Sequence, residues 1–336
     1  MAMDFTVRGA GIFGLSIAWA AVRRGARVRV IDPHGVGAGS SGGIVGALSP
    51  HVPENWNEKK AFQLASLLMA KDWWAEAATA GRVDPGYGRV GRLQPIPDAA
   101  ALARAEERGR GAAKLWGGHA VWDVTAREAI GTWAPPSATG LLIHDTLSAR
   151  LHPRQALETL VRAIKAQGGE VVGDGQLEGP VVWATGYHDL TEMAVTGAGV
   201  KGQAALMRYD ATDAPQLFVD GVHIIPHADG TVAIGSTSER EWSDPQATDP
   251  ALEGLIDKAR ALVPALTDAP VIERWAGIRP RAKSRAPVLG RHPMRNGAYI
   301  ANGGFKIGFG MAPLVGEVMA DLLLDGVDRI PEGFRA

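Results

Sequence analysis

The chain opens on Phe5-Thr6-Val7-Arg8 and passes at once into Gly9-Ala10-Gly11-Ile12-Phe13-Gly14. These ten residues constrain the fold more than any others. A short apolar run, three glycines spaced G-x-G-x-x-G and an apolar stretch to about Arg24 predict a strand, a tight turn and a helix that Gly25 stops. Arg27–Asp32 reads as a second strand and completes a β-α-β unit. In such a unit Gly9 makes the turn, Gly11 lets the backbone approach a pyrophosphate, and Gly14 lets helix and strand pack closely. Asp32, at the end of the second strand, is placed for a ribose hydroxyl. The pattern predicts a dinucleotide site. Arg8 is the odd residue, a charge in a strand that a parallel sheet would bury.

At 336 residues there is chain for about two domains, and 46% hydrophobic against 21% charged residues excludes a disordered chain. Lys and Arg total 35 against 36 Asp and Glu, so there is no basic excess for gripping a nucleic-acid backbone. Cysteine is absent, which excludes disulfides, thiolate metal sites, a Cys nucleophile and a thioether link to a cofactor. The His and Asp residues show no metal-ligand spacing, and no metal is expected. The apolar segment from Gly9 to Val22 is followed rather than preceded by Arg23 and Arg24, and it is too short to span a bilayer. A soluble, cytoplasmic protein is expected.

Further along, Lys60–Ala80 has helical periodicity, with Phe62, Ala65, Leu68, Met69 and Trp73 on one face, and Trp73-Trp74 read as core. Pro153–Gln167 is a helix with Pro153 in its first turn, and Val181–Ala184 is a short buried strand. Phe218–Pro226 and Thr231–Ser236 alternate about Asp229-Gly230, which predicts a hairpin. Ala251–Val263 and Pro313–Leu324 read as helices and Ala298–Ala301 as a strand. The predicted fold is α/β: a Rossmann-like dinucleotide domain with an inserted α+β substrate domain on a mostly antiparallel sheet. The expected boundaries are 1–80, 141–195 and 276–336 for the first, and 81–140 and 196–275 for the second.

An NAD site is built mostly from one β-α-β unit, whereas this chain has Gly-rich elements over its whole length, which favours FAD. Ser40-Ser41-Gly42-Gly43 can offer hydroxyls and backbone N–H groups to a pyrophosphate. Ala184-Thr185-Gly186 ends a strand where ligand crevices form. Gly303-Gly304-Phe305-Lys306-Ile307-Gly308 precedes a helix whose positive end suits an electron-rich ring edge.

In order along the chain stand GAGIFG (9–14), VIDP (30–33), GSSGGIVGALSP (39–50), KGQ (201–203), IIPHADGTVAIGSTSE (224–239), WAGIRPRAKSRAPVLGRHP (275–293) and GGFKIGFGMAPLVGEVMADLL (303–323). With these motifs the chain resembles the D-amino-acid oxidase, glycine oxidase and sarcosine oxidase superfamily. The resemblance implies FAD contacts at Ile12, Phe13, Asp32, Pro33, Ser40, Ser41, Val45, Gly46 and Ala47; the strand end and the glycine loop read above add Ala184, Thr185, Gly186, Gly304, Phe305, Lys306, Ile307 and Gly308 as expected cofactor contacts. It implies that Arg279, in W-x-G-[LI]-R-P, clamps a substrate carboxylate, and that Lys306 lies beside flavin and substrate. A guanidinium fork suits the first role. His223 stands at or near the place of the family's substrate-binding tyrosine, and His51 follows the flavin loop.

The implied activity is oxidation of the C–N bond of an amino acid or glycine-like secondary amine, with non-covalent FAD, and oxygen or another acceptor taking the electrons. Two alternatives stand beside it. The flavin loop is also similar to that of the oxidase acting on carboxymethylaminomethyl-uridine in tRNA, against which the balanced charge weighs. The other is a flavoprotein dehydrogenase subunit that is not an oxidase.

Overall fold

The computed structural model describes residues 3–192 and 197–336. The expected β-α-β start is present as β1 (Phe5–Arg8), α1 (Ile12–Val22) and β2 (Val28–Ile31). The helix stops two residues short of Arg24, where Arg23 and Arg24 turn out to acidic side chains. Every residue of α1 is buried, as an all-apolar helix between two layers must be.

The chain continues through β3 (Ala47–Leu48), α2 (Glu58–Gly81), β4 (Arg92–Pro95), α3 (Ala99–Leu115), β5 (Trp122–Ala126), β6 (Leu141–Asp145) and β7 (Ala149–Arg150). Next come α4 (Pro153–Ala166), β8 (Glu170–Val172), β9 (Val181–Trp183), α5 (Tyr187–Glu192), β10 (Gly197–Arg208), β11 (Gln216–Val219), β12 (Val222–Pro226) and β13 (Thr231–Gly235). It closes with α6 (Pro250–Leu262), β14 (Val271–Ala282), β15 (Val288–Arg291), β16 (Tyr299–Asn302) and α7 (Gly308–Leu324).

Two large sheets organise most of these elements, and β3 and β7 pair in a small third. The first runs β15-β16-β9-β1-β2-β8 and is parallel except for β15. Helices α1, α2, α4 and α7 pack together in one core with it. The second runs β14-β10-β13-β12-β11-β4-β6-β5 and is antiparallel except where β11 meets β4. Helix α6 covers one face of it with Leu252, Ile256 and Ala259. This is the expected pairing of a Rossmann-like domain with an inserted, mostly antiparallel one.

The boundaries move, however. Leu141–Asp145, assigned to the dinucleotide domain, pairs with β4 and β5 in the second sheet. Strand β14 runs unbroken through the expected boundary at 276, and the boundary at 195–196 falls outside the described residues. Within elements, α2 buries Phe62, Ser66, Leu67, Ala70, Trp73 and Trp74, while Ala65 is exposed, so the buried face is rotated from the one predicted. Phe218–Pro226 is two strands, because Asp220, at positive φ, and Gly221 turn the chain between them. Helix α7 starts at Gly308, with Pro313 inside it, and Ser66 Oγ accepts the N–H of Leu314 beside the gap.

Candidate active site

Between the two sheets lies a cavity of about 1390 Å³, lined from the Gly9 turn through Arg279 to the Gly304–Gly308 loop. That exceeds the roughly 300–1,000 Å³ of ordinary ligand pockets. It has room for a dinucleotide and a substrate together.

The β1–α1 turn forms one end. Gly9 has φ +109°, and a Cβ on it would stand 2.4 Å from the carbonyl oxygen of Ala184, so only glycine fits. Gly14 is not on the cavity wall. It lies against the Gly9 carbonyl, where a side chain would collide at 2.0 Å, and its role is helix–strand packing. Asp32 lines the cavity, yet its carboxylate is also structural: one oxygen accepts the Ala10 N–H at 2.8 Å and the other the His34 N–H at 3.0 Å. Ser41 Oγ accepts the Ile12 N–H at 3.1 Å, which leaves its own O–H to donate into the cavity. Ile12, Phe13, Pro33, Ser40, Val45, Ala47, Ala184, Thr185 and Gly186 also line it. Gly46 does not; its carbonyl accepts the Leu151 N–H at 3.1 Å and fixes the loop from behind. A backbone cradle that side chains would fill, a helix N-terminus and an unspent hydroxyl together fit the pyrophosphate of FAD.

The second sheet supplies the other end. Arg279, only 9% exposed, donates to the carbonyl of Thr237 at 3.3 Å, and no carboxylate lies within salt-bridge distance among the described residues. Burial pushes this guanidinium down to about 10, still charged at neutral pH. Gly304, Phe305, Lys306, Ile307 and Gly308 line the cavity beside it. The Lys306 ammonium lies 5.7 Å from the Phe305 ring, and burial, with repulsion from Arg279 and Arg281, holds its affinity for a proton below the usual.

His223 lines the same space, 4.6 Å ring to ring from Phe218, with its Nδ1 buried and unpartnered. Burial and the charges of Arg92, Lys306 and Arg279 push it down to about 3, so it is neutral. His51 pairs through Nδ1 with the Gln63 side-chain oxygen. Trp73 and Trp74 meet edge to face, 4.9 Å apart, in the helical core. Arg8 lines the cavity 6.0 Å from the Trp183 ring, which accounts for a charge at the end of a buried strand. Arg92 was missed. It stands in β4 with its Nε donating to Asp145 at 2.9 Å, and nothing in its local sequence marks it.

The chain matches the DAO family, described as FAD dependent oxidoreductase, over residues 4–322. It is 28% identical to the uncharacterized oxidoreductase YurR of Bacillus subtilis, over 96% of this chain and 95% of that one. To the glycine oxidase of Geobacillus kaustophilus it is 24% identical, over 95% and 92%. Its fold matches the crystal structure of iminodiacetate oxidase from Chelativorans sp. BNC1 with a TM-score of 0.86 at 22% identity, covering 98% of both chains. With the family's motifs set around one cavity and its sequence matched almost end to end, the chain belongs to the DAO family of FAD-dependent oxidoreductases.

Proposed function

We propose that the protein oxidises the C–N bond of an amino acid or glycine-like secondary amine whose carboxylate is held by Arg279. The observation that carries this reading is a buried guanidinium on the cavity wall whose one hydrogen bond among the described residues goes to a backbone carbonyl. A buried charge needs a counter-charge, and a carboxylate matches the fork. When bound, FAD supplies the acceptor for the hydride. The chain's own residues fix where the substrate stands and which charges surround it.

Arg279 orients the substrate by its acid group. Neutral His223 offers the amine a hydrogen-bonding nitrogen without repelling it, and Lys306 adds positive potential at the cavity wall. The substrate imine formed on oxidation is hydrolysed by water. The relatives matched do not support the tRNA alternative. A cytoplasmic setting belongs to this reading, and among the described residues no helix is long and apolar enough to cross a membrane.

The purified protein should be yellow, and its visible flavin bands should bleach without air when glycine derivatives are added. Peroxide released with air present assigns oxygen as the acceptor, and its absence assigns a dehydrogenase. Flavin that no amino acid or N-substituted glycine bleaches would overturn the reading.

A further inference from the structure

The chain as a whole carries a net charge of −1, yet the cavity does not. Its walls hold Arg8, Arg92, Arg274, Arg279, Arg295 and Lys306 against a single acid, Asp32. Three of the six are not among the charges that act on His223. Arg274 pairs with Glu253 at 2.8 Å, and Arg295 and Arg8 lie 3.6 and 6.0 Å from the Trp183 ring. The other three, Arg92, Arg279 and Lys306, all act on His223.

Arg92 is the informative member. It is 6% exposed, and Asp145, its partner, is fully buried. A guanidinium kept only to hold a carboxylate commonly gives it two parallel N–H bonds. Here only Nε is used, at 2.9 Å, while the second oxygen of Asp145 accepts the backbone N–H of Ser148 at 2.8 Å. The two terminal nitrogens of Arg92 make no hydrogen bond among the described residues, and the residue forms part of the cavity wall. Nδ1 of His223 is likewise buried and unpartnered. Asp145 thus fixes Arg92 from one side and leaves its terminal nitrogens free.

We infer that the substrate carries a second acid group, received by Arg92, so that the enzyme acts on an amino- or imino-dicarboxylate. The inference rests on the reading of Arg279 as the first carboxylate's anchor. A substrate with one acid group would leave the terminal nitrogens of Arg92 without a partner, and sites built around polar groups reject ligands that lack the match.

Calorimetric titration of the FAD-loaded enzyme with acetate, malonate, succinate and glutarate tests this without turnover. At least one dicarboxylate should bind ten times or more tighter than acetate. That gain should vanish in the double variant Arg92→Leu/Asp145→Leu, which removes both members of the buried pair together and so strands neither charge. Arg279→Ala should weaken acetate and dicarboxylates alike. If acetate binding depends on Arg279 but no dicarboxylate improves on it, the second site is refuted and the first reading stands. A gain that survives in the double variant refutes the role of Arg92. Acetate binding indifferent to Arg279→Ala overturns both. Should the double variant not fold, the comparison of acetate with the dicarboxylates on the unaltered enzyme still decides.

Discussion

The guanidinium of Arg279 rests on the bare backbone of Gly202, two positions along on the neighbouring strand from its register partner Val200. A Cβ at Gly202 would stand 1.9 Å from Nη2 and 2.1 Å from Nη1. The group that would collide is the far end of a flexible side chain, so the strand can keep its place while the guanidinium moves. Gly202→Ala should therefore fold and retain flavin while KM for the amino-acid substrate rises ten- to a hundredfold, about 1.4–2.8 kcal/mol. Steady-state kinetics beside a flavin-content assay checks this, and an unchanged KM would show that the resting place of Arg279 is not its working one.

Arg279→Ala should leave the flavin spectrum nearly intact and cost roughly 2–5 kcal/mol in binding a carboxylate ligand, the range for breaking a desolvated charge pair. Arg279→Lys should recover only part, because a point charge cannot reproduce a two-toothed fork. Titration of acetate, followed by the perturbation of the flavin bands, reads both variants.

On the proposed FAD reading Asp32 has two employments, and its variant should show both. Asp32→Ala removes an acceptor for a ribose hydroxyl, on the order of 1.5–3 kcal/mol for a charged group. It also strips the Ala10 and His34 N–H groups of their acceptor. The apoprotein should melt lower than the parent apoprotein, and the holoenzyme should lose FAD on dilution. A variant that retains FAD equally well and melts at the same temperature would remove Asp32 from both roles.

FAD should be released entirely by acid precipitation, since the chain has no cysteine for a thioether. Colour remaining in the pellet would demonstrate a covalent link through another residue.

His227, 1% exposed with Nε2 unpartnered, is pushed down to about 3 by burial, by His152 and by Arg150. Unfolded, it would take a proton near pH 6.5. Between pH 6.5 and 3 the unfolded chain therefore binds a proton that the folded one refuses, and stability falls as pH drops, by on the order of 1.4 kcal/mol per pH unit. Above pH 6.5 this contribution is flat. Melting temperatures across that range should show a shallower slope in His227→Gln than in the parent.

The parts of the fold that could be read from sequence are those whose determinants are local. Strand, glycine turn and helix over residues 5–22 follow from consecutive residues, and Pro153 with the stripe of Leu157, Leu160 and Ile164 specifies α4 in the same way. Helix α3 gave no such signal, because it buries only Ala105 and Ala112 and lies as an Ala-rich surface helix over β5. The rotated face of α2 was hidden because its buried positions include Gln63 and Ser66, which hydrogen-bond to Ser49 and Leu314 across the fold. Among the site residues, Arg279 announced itself through its motif. Arg92 could not, since its meaning depends on Asp145, which stands opposite it across the sheet and 53 residues away in the chain.

Strand β14 has a consequence of its own. Its last turns of the pleat carry Arg279 and Pro280, and the carbonyl of Pro280 accepts the N–H of Phe305 at 3.1 Å, one residue before Lys306. The proposed carboxylate anchor and the glycine loop are thereby pinned to adjacent residues of one extended segment. Side chains alternate along a strand, so inserting or deleting a single residue ahead of Arg279 would turn it to the opposite face. The register of β14 against β10 therefore works as a gauge: the span from anchor to loop is set by backbone geometry, so the site can be altered through side chains such as those around Arg92 more readily than through the length of the strand.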